Sequence, residues 1–165
     1  MVHVKLIRDT FGGLKYLENA ITYPMRQKPD DSDKLCGIGG YGVDPLHLDL
    51  AYRQMHRIKA CYGKTSGNPL IHFMISLDKN TKTAKNACDI ADKIARFYMG
   101  RFQVLWCVHQ KARSDSDFHI HVFINSVSYV NGLMFHSGFS ELNYLKKYIE
   151  NLTKQTVFLH YKENG

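Results

Sequence analysis

The chain has no apolar run near the roughly 18 residues that a membrane-spanning helix needs. Its start, MVHVKLIRDT, lacks the apolar stretch of a secretory signal. These absences lead us to expect a soluble, cytoplasmic protein with no membrane insertion. Cysteine is sparse, and Cys36, Cys61, Cys88 and Cys107 stand far apart without a CxxC spacing. Reduced thiols packed within apolar patterns fit that distribution better than disulfides or a zinc ribbon. Internal repeats and low-complexity tracts are missing as well. The stretch Leu35 to Pro45, LCGIGGYGVDP, holds four glycines but not the GxGxxG spacing of a dinucleotide site, and no strong strand precedes it. It reads as a loop or a short irregular strand. Gly63, Lys64 and Thr65 imitate the end of a phosphate-binding loop, yet Ile58 stands where that motif requires glycine, and a helix precedes it. Nucleoside triphosphate binding there is set aside.

What is present is a 165-residue chain with 44% hydrophobic residues, enough for one domain with a real core. Its net charge of +7 makes a polyanion such as nucleic acid the first partner to consider, and an anionic membrane surface the second.

The most informative stretch is Phe102 to Asn125, two β-rich runs joined by a polar loop from Gln110 to Asp117. Alternation puts His119, His121, Phe123 and Asn125 on one face of the second run and Ile120, Val122 and Ile124 on the other. In the first run Leu105, Cys107 and His109 share a side opposite Val104, Trp106 and Val108. An antiparallel hairpin would bring His109 beside His119 and His121. Three imidazoles on stiff strands suit a divalent ion with coordination positions left for water or substrate. Three ordinary hydrogen-bonded strand histidines are the alternative.

The rest of the chain alternates strands and helices. Val2 to Arg8 reads as a strand. Leu14, Leu17 and Ile21 then recur at helical spacing, with Tyr16, Asn19 and Tyr23 on another face, and Pro24 should end that helix near Tyr23. A polar segment from Arg26 to Lys34 follows. Asp44 and Pro45 look like the start of a helix whose apolar stripe is Leu48, Ala51, Met55, Ile58 and Tyr62, with Arg53, His56, Arg57 and Lys59 on a basic face. Pro69 to Leu77 is a strand with His72 on its polar side, either a further site member or a satisfied strand histidine. Thr83 to Tyr98 is the clearest helix, stopped by Gly100. Asn131 and Gly132 mark a turn, Leu133 to His136 a short strand, and Ser140 the cap of a helix carrying Leu142, Leu145, Ile149 and Leu152. Thr156 to Tyr161 reads as a last strand. The expected fold is α+β: a mainly antiparallel central sheet flanked by helices that cover its apolar face, with the site on or beside the other face.

The triplet His119, Ile120, His121, with His109 on the preceding strand and Asn125 following, resembles the metal motif of the HUH endonucleases, and more narrowly of plasmid and transposon mobilisation relaxases. Ala20, Ile21, Thr22, Tyr23 with Lys28 is similar to the family's tyrosine motif. Gly40 through Pro45, then Tyr62 to Thr65 with Ile71, His72 and Phe73, is similar to its middle, as is Asn125, Ser126 and Val127 with Gly132 and Phe135. There are departures: Lys111 stands where an acidic residue often follows the first histidine, and Asp117 where many members have another histidine. Asp115 and Asp117 are then the candidate orienting carboxylates.

The resemblance implies a nuclease domain over residues 1–165, the N-terminal part of a longer protein, acting in conjugation or mobilisation of plasmids and integrative elements. It implies Tyr23 as nucleophile on single-stranded DNA, with Tyr16 as runner-up, giving a 5′-phosphotyrosine. It also implies Mn2+ or Mg2+ on His109, His119 and His121, with His72, Asn125 and Asp117 as support. Arg53, Arg57, Lys64 and Lys111 would hold the DNA backbone. The implied partners are single-stranded and hairpin origin-of-transfer DNA, a relaxosome accessory protein and a coupling protein. A rolling-circle replication initiator with the same chemistry and a non-catalytic single-strand binding module are the rival readings. A two-motif histidine phosphoesterase fits less well, because its His-x-Thr or His-x-Ser pairs are not found on paired strands.

Overall fold

The computed structural model describes residues 1–7, 15–26, 32–112 and 117–161, with the side chains of Lys15 and Tyr16 outside that set. In chain order the elements are β1 (Val2–Ile7), α1 (Lys15–Met25), β2 (Asp33–Tyr41), α2 (Leu48–Cys61), β3 (Leu70–Ser76), α3 (Ala84–Met99), β4 (Val104–Lys111), β5 (Phe118–Asn125), α4 (Phe139–Thr153) and β6 (Val157–His160). The strands form one sheet in the order β2-β4-β5-β3-β1-β6. Every neighbouring pair is antiparallel except β1 with β6, which is parallel. This is the expected α+β architecture.

Strand alternation gives the sheet two different faces. On the first, Val2, Val4, Phe73, Ile75, Val104, Trp106, Val108, Ile120 and Val122 are buried with Ala87, Ala91, Ile94 and Tyr98 of α3 and Leu142, Leu145 and Ile149 of α4. On the second, Leu105, Cys107 and Phe123 meet Leu17, Ile21 and Met25 of α1 and Leu48, Ala51 and Met55 of α2. Helices therefore lie on both faces, where the sequence suggested cover on the apolar face alone. The reason is that the histidine-bearing face carries apolar side chains at its β4 and β5 end, and these also have to leave water.

The glycine-rich stretch settles as the edge strand β2, irregular between Leu35 and Gly37 where its register with β4 shifts. Asp33 and Lys34, assigned to the preceding polar segment, already belong to it, and residues 27–31 of that segment lie outside the described residues. A methyl group added at Gly39 would sit 2.5 Å from the indole of buried Trp106. The glycine is there so that the indole can lie flat against the strand.

Several boundaries differ from the sequence expectation. The helix α1 does not stop at Tyr23 but continues through Pro24 to Met25; both residues are buried, and tertiary contacts to the Pro24 carbonyl override the local preference. Asp44 and Pro45 precede α2 and do not start it. The Asp44 carboxylate instead accepts from the backbone N–H groups of Leu46 and His47 and pairs with the His47 ring, and His47 is the cap residue. Leu133 to His136 contributes only an isolated bridge, Val127 with Met134. The helix α4 starts at Phe139 with Gly138 as its cap, which leaves Ser140 inside the first turn.

Gly39→Ala should destabilise the fold by about 1–3 kcal/mol through overpacking against Trp106. A urea midpoint equal to wild type would show that the indole moves aside at no cost.

Candidate active site

The hairpin of β4 and β5 places His109 directly opposite His119, and Cys107 opposite His121. The three rings converge as expected. Their centroids are 5.4 Å apart for His109 and His119, 5.6 Å for His109 and His121, and 5.4 Å for His119 and His121. His109 is buried, while His119 and His121 are partly open to solvent.

Each ring is also held from outside the triad. His121 Nδ1 lies 2.8 Å from Nε2 of His72. His72 sits on β3 opposite Phe123, with the two rings 4.4 Å apart. Burial drives the His72 pKa down to about 4, so its ring is neutral at neutral pH and its Nε2 can accept a hydrogen bond from His121 Nδ1–H. His119 Nε2 is 3.6 Å from a carboxylate oxygen of Asp33 on β2. His109 Nε2 donates to the backbone carbonyl of Pro24 at 2.6 Å, and the Cys107 thiol donates to the same oxygen at 3.3 Å. Burial pushes the Cys107 thiol well above its ordinary range, which keeps it protonated as a donor.

These contacts bring α1 to the histidines. Tyr23 precedes Pro24, one Cα step of about 3.8 Å from the clasped residue, and its side chain is 65% exposed although its neighbours Pro24 and Met25 are buried. On its other side, the Thr22 hydroxyl is hydrogen-bonded to the Tyr52 hydroxyl of α2. The tyrosine thus projects from a helix end pinned on both flanks. Tyr16 is seven residues earlier on α1, about 10 Å along the helix axis, and its side chain lies outside the described residues.

Other predicted residues fall elsewhere. Asn125 shares the histidine face but is four residues beyond His121, about 13 Å along the strand. Its buried amide donates to Met55 O and Gln103 Oε1 and accepts from the Lys59 ammonium. Lys59, expected on the basic face of α2, is therefore buried, and burial lowers its pKa from 10.5 to about 8. Asp117 closes the hairpin, its carbonyl accepting from Lys111 N–H at 2.8 Å; Asp115 lies outside the described residues. Lys111 is exposed at the end of β4. Arg53 and Arg57 are exposed and, with Leu17, Glu18, Tyr52 and His56, line a groove of about 440 Å³ between α1 and α2. The Lys64 ammonium is bonded to the Gly132 carbonyl.

Sequence reasoning missed Asp33. No local pattern marks it, and only the pairing of β2 with β4, which sets Asp33 opposite Lys111, brings its carboxylate to the site. Among the described residues, no three His, Cys, Asp or Glu side chains have their donor atoms already gathered around one point, and no helix is long and apolar enough to cross a membrane.

A family model described as relaxase, MobA/VirD2-like, nuclease domain matches residues 16–157. Comparisons with curated proteins and with solved structures gave no match.

Because the folded pKa of Lys59 lies below its unfolded value, the unfolded chain binds more protons between about pH 8 and 10.5, and stability rises with pH across that window. The gain is on the order of 3 kcal/mol at most. Lys59→Met should lack this rise. Unfolding midpoints that run parallel for variant and wild type from pH 7 to 10.5 would count against a buried ammonium.

Proposed function

Since the chain belongs to the MobA/VirD2-like relaxase nuclease-domain family, whose members are DNA-nicking, metal-dependent enzymes acting at an origin of transfer, we propose that Tyr23 cuts and rejoins one strand of that DNA. The observation that supports this reading is the bond from His109 to the Pro24 carbonyl, which ties the residue next to the exposed Tyr23 to the histidine cluster. In the forward step the Tyr23 oxygen forms a bond to phosphorus as the bond from phosphorus to the 3′ oxygen breaks. The phenolic proton is lost and the departing 3′ oxygen gains one. The products are a 5′-phosphotyrosine and a free 3′-hydroxyl, and attack by a 3′-hydroxyl reverses the step.

His109, His119 and His121 would hold the divalent ion, Mn2+ or Mg2+. The donors fit in kind and in ring spacing. His109 turns Nε2 to Pro24, and His121 turns Nδ1 to His72; uptake therefore falls to their other nitrogens or to rings that rotate. When bound, the ion supplies a Lewis acid that draws charge from a non-bridging phosphate oxygen. His72 accepts from His121 Nδ1–H and so directs His121 Nε2 into the site. Asp33 orients His119 and supplies, from the strand beside Lys111, the carboxylate that position 111 lacks. Arg53 and Arg57 line a groove on the Tyr52 side of α1 suited to the DNA backbone.

Incubation with labelled single-stranded oligonucleotides tiled across the origin should give a covalent adduct on denaturing gels with Mn2+ and none with chelator. Tyr23→Phe should abolish it and Tyr16→Phe should not. Tight binding of a verified nick site with no adduct under any metal would leave a binding module in place of an enzyme. His72→Leu should weaken Mn2+ binding by about 10- to 100-fold in calorimetry; unchanged affinity would remove His72 from the metal's support.

A further inference from the structure

Among the described residues, only half of the second face of the sheet is covered. Although α1 and α2 close over β4 and β5, no described residue of β1 or β6 belongs to the cluster they form. The strand registers carry the histidine rows outward onto this open half. His119 faces Ser76, Ser76 faces His3, and His3 faces Phe158; one row along, His121 faces Met74, Met74 faces Lys5, and Lys5 faces His160. Paired positions share a side of the sheet, so His3, Lys5, Phe158 and His160 stand on the catalytic side. At about 4.8 Å per strand, β1 is about 10 Å and β6 about 15 Å from β5.

These side chains are arranged, not scattered. The His3 ring stacks on Phe158 with centroids 5.5 Å apart at 23°, and on His160 at 5.1 Å and 22°. His3 Nδ1 and His160 Nε2 are hydrogen-bonded at 2.8 Å, which holds both rings in place. Phe158 is 43% exposed, and His3, Lys5 and His160 are exposed. No acidic residue stands on this face of β1, β3 or β6. Flat exposed rings with a cation beside them, and with the carboxylate of Asp78 beyond the end of β3 already paired with the N-terminal ammonium, suit nucleobases stacking on a sheet, with a phosphate near the lysine.

We propose that this open half of the sheet is the track for single-stranded DNA leading away from the nick. Bases stack on Phe158 and on the paired rings of His3 and His160, and Lys5 takes a backbone phosphate. The track rests on the nicking reading for its continuity with the histidine cluster. At a stacked rise of 3.4 Å per nucleotide, the distance from the cluster spans about three or four nucleotides.

The test is fluorescence anisotropy on the whole chain, in chelator so that no strand is cut, with a labelled (dT)20 strand and a duplex of equal length at several salt concentrations. Phe158→Ala should weaken single-strand binding by about 5- to 100-fold, with Phe158→Trp restoring it and duplex affinity unchanged. Lys5→Gln should reduce the slope of log K against log salt by about 0.7. Tyr144→Ala, an exposed tyrosine on α4 at the opposite face, should bind as wild type. Unchanged single-strand affinity in Phe158→Ala with native circular dichroism would overturn the track. So would equal losses on duplex, or sedimentation showing a dimer that the substitution dissociates, which would assign the face to a second copy. Because no covalent step is involved, failure of the adduct assay leaves this result intact, and a tyrosine adduct alongside unaltered Phe158→Ala binding would sink the track alone.

Discussion

The hydrogen bond from His109 to the carbonyl of Pro24 joins the helix that carries Tyr23 to the histidine-bearing strands. It is short, buried at its histidine end, and reinforced at the same oxygen by the Cys107 thiol. The other contacts of α1 with the sheet include the buried apolar side chains of Leu17, Ile21 and Met25, which fix its depth better than its rotation or register. A proline in the last turn is normally a place where a helix loosens. Here it supplies a carbonyl that two side chains of β4 can claim, and the residue before it is thereby directed out of the core.

The sheet does the remaining positioning. Alternation along β4 and β5 sends Val104, Trp106, Val108, Ile120 and Val122 into the large core under α3 and α4, which leaves the histidines on the reverse side no choice of orientation. A slip of one residue in either strand would bury the imidazoles and expose the core. The same registers extend across β3 and β1 to β6, so one packing constraint orders the cluster, its supporting His72 and the outer ring-bearing rows.

Much of this was legible from residues alone. Period-two alternation from Phe102 to Asn125 identified the hairpin and the facing of all three histidines, and the stripe from Ala84 to Tyr98 identified α3, because both signals are strong and local. What escaped notice depends on partners distant in sequence. Lys59 reads as one more basic residue on α2, and only Asn125, 66 positions later, gives its ammonium a buried partner. Asp33 looks like part of a polar linker until β2 pairs with β4. The glycines of β2 resemble a loop because their purpose, clearance for Trp106, lies in another strand. Pro24 signals a helix end to any local rule, and the carbonyl contacts that overrule it come from 83 and 85 residues away.

That last separation sets an order of events during synthesis. The helix carrying Tyr23 is made early, but its clasp needs β4, and β1 cannot gain its second neighbour until β6 is complete. Closing such long loops costs entropy before any contact repays it. A nascent chain therefore passes through a long interval in which the phenol of Tyr23 is present and the histidine cluster is not, and the two can meet only after β4 and β5 have been made.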